Sequence, residues 1–226
     1  MSRPERMEPL DTSADGRAYS PSVARNRAEI LAELRRVLPA DGRLLELAAG
    51  TGEHAAFFAP QLPSLEWQPT DRSETALASI RAWRTASAVP NLREPLALDL
   101  ESGPWPAGPW DAALAINLLH IAPWSTTEAL FAGLAPRLAP TGVLVIYGAF
   151  LVPGRPTAPS NLAFDRTLRE RDPQLGVRKL DDVTRVAAKH GMRLASVTSM
   201  PNNNDLLTWQ PGANGPRCQA SVRPGF

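Results

Sequence analysis

The run Leu44-Leu45-Glu46-Leu47-Ala48-Ala49-Gly50-Thr51-Gly52 joins a short apolar, strand-like segment to a bend rich in glycine. From Gly52 to Leu62 the apolar spacing becomes helical, and Pro63 stops it. Strand, glycine bend and helix in that order form a nucleotide-binding device. The glycines let backbone approach a ligand, while the helix start offers unpaired N–H groups and the positive end of a dipole. Gly50-x-Gly52-x-x-Ala55 satisfies the dinucleotide fingerprint, and Asp71 falls about 20 residues further on, where a ribose-binding acid is expected. Glu46 separates the readings. An acid at the strand end, four residues ahead of Gly50, repels a diphosphate and suits a positively charged ligand.

Outward from this run the chain alternates. Ser22 is placed to cap a first helix carrying Ile30, Leu31, Leu34 and Leu38, ending at Pro39. A second strand, Leu65 to Asp71, precedes a helix capped by Ser73 and carrying Leu77, Ile80 and Trp83. Leu96 to Asp99 forms a third strand and Asp111 to Asn117 a fourth. A helix over about 125–138 and a fifth strand, Val143 to Tyr147, come next. The pattern predicts an α/β fold, a Rossmann-like sheet of about seven strands, mostly parallel and covered on both faces. Residues 150–179 interrupt it with Pro153, Pro156, Pro159 and a helix near 160–171, and read as a lid. A helix over 180–190, a sixth strand from Arg193 to Thr198 and an antiparallel last strand, Leu206 to Trp209, complete the domain. We therefore expect a single domain over 19–209, a flexible segment at 1–18, and a tail at 210–226.

Three acids close successive strands: Glu46, Asp71 and Asp99. Together they make a cation-favouring crevice at the carboxyl edge of the sheet, where open α/β folds bind ligands. The spacing Glu-x-x-x-Gly-Thr-Gly resembles the first motif of class I S-adenosylmethionine-dependent methyltransferases. That resemblance implies S-adenosyl-L-methionine as cofactor, with Glu46 near its amino-acid end and Gly50, Thr51 and Gly52 bordering it. It also implies Asp71 on the ribose hydroxyls, Asp99 with Leu100 at the adenine edge, and Asn117 beside the methionine moiety.

Further stretches narrow the resemblance. They are Ser20-Pro21 with Arg25-Asn26, Gly52-Glu53-His54, Trp67-Gln68-Pro69-Thr70-Asp71, Ile116-Asn117-Leu118-Leu119-His120-Ile121 with Trp124, and Tyr147-Gly148 with Phe150. The most specific is Thr157-Ala158-Pro159-Ser160-Asn161 with Phe164-Asp165, then Arg171-Asp172-Pro173 and Gly176-Val177-Arg178. The chain resembles a small methyltransferase-like family typed as a domain of unknown function, which includes the methyltransferase-like 26 group. It departs at Ala24, Ala149 and Leu175, and at Asp205, where the closing strand usually has an apolar residue.

Methyl transfer from a sulfonium is an in-line displacement, so acceptor positioning dominates, and a base is needed only where the acceptor must lose a proton. His120, three residues beyond strand four, is the first choice for that base and titrates near neutrality when unperturbed. His54 and Tyr147 are the other catalytic candidates. Trp124, Phe150, Asn161, Asp165 and Arg171 are placed around the acceptor; the alternative is that Arg171 and Arg178 instead just pair with Asp165 or Asp172. Arg25, with Ser20 and Asn26, reaches the donor from the N-terminal side.

Composition excludes several classes. The 226 residues carry a formal net charge of +1, which gives no electrostatic case for nucleic acid or an anionic membrane. One cysteine, Cys218, excludes an intrachain disulfide framework, and three histidines leave little for a metal. No apolar run approaches the roughly 20 residues of a membrane span, and the first eleven residues do not form a secretory signal, so the cytoplasm is expected. Three readings stand: methyl transfer to a small-molecule acceptor by a monomer or homodimer, non-catalytic S-adenosylmethionine binding, and an NAD-dependent oxidoreductase.

Overall fold

The computed structural model describes residues 11–212, and Cys218 and most of the expected tail lie outside them. Seven strands form the main sheet: β3 (Gly42–Leu47), β4 (Leu65–Asp71), β5 (Leu96–Ala97), β6 (Trp110–Ile116), β7 (Leu138–Gly148), β10 (Met192–Met200) and β11 (Asn204–Pro211). Their order is β10-β11-β7-β6-β3-β4-β5. Only β11 runs antiparallel to its neighbours. The chain winds outward from β3 to β5 and then restarts at β6 on the other side of β3. The β3/β6 boundary is thus the switch point where such sheets bind ligands.

Alternation along the central strands divides the core. Leu45, Leu47, Ala113, Ala115, Leu144 and Ile146 pack under α4 (Trp124–Leu134) and α6 (Leu180–Lys189). Leu44, Ala112, Leu114, Val143 and Val145 pack under α1 (Pro21–Val37) and α2 (Glu53–Phe58). The last helix on this scaffold, α3 (Glu74–Ser87), starts where Ser73 Oγ accepts the Ala76 N–H at 3.4 Å.

Proline accounts for two shortened helices. Neither α2 nor α4 runs as far as its periodicity predicts: Pro60 and Pro136 turn the last residues into single 3₁₀ turns, Ala59–Gln61 and Ala135–Arg137. At the start of α1, Ser20 rather than Ser22 is the capping residue, because Pro21 takes the first helical position. The third strand stops at Ala97, leaving Asp99 in the following loop. The tail begins later than expected, since Gln210 and Pro211 still pair with Arg193 and Met192.

The expected flexible segment is ordered from residue 11. Here β1 (Asp11–Thr12) and β2 (Ala18–Tyr19) form an antiparallel hairpin. It is packed on α3: Ser79 Oγ accepts the Ala18 N–H at 2.8 Å, Trp83 Nε1 donates to the Ala18 carbonyl at 2.9 Å, and Arg17 lies over Trp83.

The insertion contributes β8 (Phe150–Leu151), α5 (Pro159–Arg171) and β9 (Arg178–Lys179), with β8 and β9 paired in parallel. It is pinned at both ends. Arg155 makes a two-pronged ion pair with Asp205 at 2.7 and 2.5 Å, which accounts for an acid in the closing strand. Buried Arg178 donates to the carbonyls of Leu119, Ala122 and Gln174 instead of pairing with a carboxylate. Asp165 is taken by Arg169 and by the Val177 N–H. Among the described residues no helix is long and apolar enough to cross a membrane.

Candidate active site

The bend after β3 winds through left-handed backbone at Ala48 (φ 53°), Gly50 (φ 59°) and Gly52 (φ 81°). Gly52 is required twice over, by its φ and by space: a Cβ there would lie 2.8 Å from the Ile80 Cα. Gly50 differs, because a Cβ would meet nothing within 4 Å. Its outer side is open. A left-handed alanine such as Ala48 is strained backbone, a feature that clusters at ligand sites.

Strand ends hold the bend from behind. Asp71 Oδ2 accepts the Gly50 N–H and Oδ1 the Ser73 N–H, both at 2.9 Å. Thr70 Oγ1 donates to the Glu46 carbonyl at 2.8 Å, and Ser79 Oγ donates to the Thr51 carbonyl at 2.6 Å. Ser79 therefore joins the N-terminal hairpin to the bend through one hydroxyl.

Glu46 is 2% exposed and accepts the Trp67 indole N–H at 2.7 Å. Burial, with some repulsion from Asp71, pushes its carboxyl up to about 7, against the indole bond that favours the anion. Burial raises Asp71 as well. Two acids with raised affinity for a proton are groups that gain from a cation arriving beside them. The start of α2, where a diphosphate would use the helix dipole, already holds an acid. Buried Glu53 accepts the Ser20 N–H at 3.1 Å, and Arg27 stands 3.7 Å away. Thr51 Oγ1 accepts the Glu53 N–H at 3.3 Å. Asp99 is half-buried and accepts the Glu101 N–H at 3.0 Å, beside buried Leu100.

Across the switch point Asn117 directly follows β6 in left-handed backbone (φ 55°), its N–H bonded to the Tyr147 carbonyl at 2.8 Å. His120 follows. Its ring lies against Gly148, where a Cβ would be 3.2 Å from it, and edge-on to Phe164 of α5 at 5.2 Å. Among the described residues its ring nitrogens have no hydrogen-bond partner. Burial, helped by the Arg178 charge, lowers its pKa to about 4, so it is neutral at pH 7 and does not titrate near neutrality.

His54 belongs to a buried chain. Its Nε2 lies 2.9 Å from Asn26 Oδ1, its ring stacks on Phe58, and burial lowers its pKa to about 4. The side chains of Asn26 and Asn204 face the Tyr147 hydroxyl, which burial holds above the usual phenol range. Of the residues that support the site, motif reading passes over Ser79; Asn26, Trp67 and Arg178 lie in quoted motifs, but their hydrogen bonds to His54, Glu46 and the Leu119 carbonyl were not foreseen.

The remaining expected residues are scattered. Arg25 is exposed on α1 and Arg171 is exposed at the end of α5. Trp124 opens α4 under the Arg178 guanidinium at 5.7 Å. Phe150 and Asn161 do meet, in the wall of a cavity of about 180 Å³ between the insertion and the β10–β11 turn. There Asn161 Nδ2 donates to the Asn203 carbonyl at 2.8 Å.

Sheet order, switch point and glycine bend define the class I methyltransferase fold, and solved structures agree. The chain is similar to the mitomycin 7-O-methyltransferase MmcR (TM-score 0.73, 14% identity, 84% of this chain and 54% of that one). It is also similar to CalO1, a methyltransferase in calicheamicin biosynthesis solved in its SAH-bound form (TM-score 0.70, 17% identity, 84% and 55%). A third is an O-methyltransferase family 2 protein from Planctomyces limnophilus DSM 3776 in complex with apigenin (TM-score 0.70, 21% identity, 84% and 59%). The chain spans little more than half the length of each. By sequence it belongs to the family described as "Protein of unknown function (DUF938)", whose model matches residues 17–211.

Proposed function

We propose that this protein transfers a methyl group from S-adenosylmethionine to a small-molecule acceptor at the carboxyl edge of its sheet. One observation carries the reading: an open left-handed bend at Gly50 is backed by the proton-seeking carboxyls of Glu46 and Asp71, while Glu53 fills the helix start that a diphosphate needs. This favours a cationic adenosyl donor over NAD. Glu46, Gly50, Thr51, Gly52 and Asp71 would hold the donor, with Asp99 and Leu100 toward adenine, Asn117 toward the methionine end, and Arg25 at the outer margin. When bound, the donor supplies an electrophilic methyl group on a sulfonium.

The chain's own residues then place the acceptor. His120, neutral and without a protein partner among the described residues, accepts a hydrogen bond from an acceptor O–H or N–H and receives its proton. Tyr147 and His54, linked through Asn26, hold the neighbouring wall as positioning groups. The printed names of similar proteins refer to small molecules, mitomycin for one and apigenin for another, which supports an acceptor of that size. The insertion motif from Thr157 to Arg178 supports a kinship with the methyltransferase-like 26 group, and a cytoplasmic location accords with this reading.

A thermal-shift titration tests this. S-adenosylmethionine or its demethylated product at 100 times its dissociation constant stabilises by about 2.7 kcal/mol, NAD has no effect, and Asp71→Ala abolishes the shift. A shift with NAD alone overturns the reading. A shift with S-adenosylmethionine but no turnover on any acceptor leaves a binding protein.

A further inference from the structure

We infer that the cavity between the insertion and the β10–β11 turn binds an uncharged ring bearing hydroxyl or amide groups, and that it anchors the non-reacting part of the acceptor. The acceptor role rests on the methyl-transfer reading above; the binding chemistry rests on the cavity alone.

Size comes first. A space of about 180 Å³ exceeds the roughly 150 Å³ that admits a benzene ring. Charge comes second. Among the described residues Arg155 is the one ionisable residue in the wall, and its guanidinium is already matched by Asp205, which is fully buried behind it at 2.7 and 2.5 Å. A ligand of either sign meets a guanidinium whose charge is already neutralised by the carboxylate behind it, so neither sign is strongly favoured.

Hydrogen-bonding capacity comes third, and it is left over on both sides. Arg155 uses three N–H groups, on Asp205 and on Ser199 Oγ, leaving two of its five for a ligand. Asn161 is 7% exposed and spends its Nδ2 on the Asn203 carbonyl, and its Oδ1 accepts nothing among the described residues. The Thr157 hydroxyl is likewise without a partner there. Phe150, Val152 and Met200 supply the apolar side of the wall. A flat ring that carries both donor and acceptor groups complements this wall.

Position ties the cavity to the reacting end. Asn204 both lines it and faces the Tyr147 hydroxyl. Along α5, Asn161 precedes Phe164 by one turn, about 5 Å of helix, and Phe164 touches the His120 ring. Asn204 and α5 thus connect the cavity wall to the surroundings of Tyr147 and His120.

Ligand-observed NMR on the full chain tests the inference, with catechol and benzamide as neutral probes and benzoate and benzylammonium as charged ones. Catechol or benzamide binds, both charged rings bind at least about tenfold more weakly, and Thr157→Trp removes binding by filling the cavity. Ser199→Trp, on the exposed face of β10, is the second filling variant should Thr157→Trp fail to fold. Equal binding of charged and neutral rings, or binding indifferent to both tryptophans, overturns the inference. Calorimetry with S-adenosylhomocysteine on the same samples separates it from the methyl-transfer reading. Donor product bound with no neutral ring taken up sinks the cavity alone. A ring taken up with no donor product bound sinks the acceptor role and leaves the site.

Discussion

Glu46 carries the site's most direct signature in pH. Its carboxyl titrates at about 7 in the folded protein against 4.5 for the free side chain. The folded state thus holds a proton that the unfolded chain gives up between those values, and stability falls as pH rises through that window. The whole effect is on the order of 3 kcal/mol. Glu46→Gln removes it: denaturant titrations at pH 4.5 and pH 8 should show the variant gaining about that much relative to the parent at the higher pH. His54 and His120, both lowered to about 4, act with the opposite sign, losing stability as pH falls from 6.5, but they are common to both proteins and cancel. If the relative stability stays constant with pH, Glu46 is not a buried, protonated acid. Glu46 was legible as a candidate from its spacing. Its indole partner was not, because Trp67 lies opposite Leu44 only once the β3–β4 register is set.

The glycine bend separates strain from access. Gly52→Ala meets both a forbidden φ and the Ile80 backbone at 2.8 Å, and should cost about 3 kcal/mol or more in chemical denaturation. Gly50→Ala meets only the φ, costing about 1–2 kcal/mol, yet it places a methyl group on the open side. It should fold and lose S-adenosylhomocysteine binding by calorimetry. Unchanged affinity would move the ligand elsewhere. At this scale the sequence was readable wherever periodicity and breakers agreed, as in β3, β4, α3 and α6. It misled where a proline inside a helical pattern shortened the helix, at Pro60 and Pro136. The hairpin before α1 could not be foreseen, because two-residue strands carry no period and Ala18 is fixed by Ser79, 61 residues away.

Across the molecule, the insertion and the sheet edge are joined by Arg155 and Asp205, 50 residues apart in sequence. Removing the cation leaves a fully buried carboxylate with water reaching only the arginine's former place. Arg155→Ala should cost about 2–3 kcal/mol in denaturant unfolding, and the double change Arg155→Met with Asp205→Leu should recover most of it. A loss confined to the single variant confirms that the pair, not the arginine stem, fixes the edge. No spacing rule announces such a pairing; the sequence showed only an acid out of place in the last strand. The second anchor, Arg178 on the Leu119 and Ala122 carbonyls beside His120, ties the other end of the segment to the loop after β6. Encounter with an acceptor is then a single bimolecular event. In stopped-flow mixing, the observed rate should climb in proportion to acceptor concentration without reaching the plateau of a preceding unimolecular rearrangement.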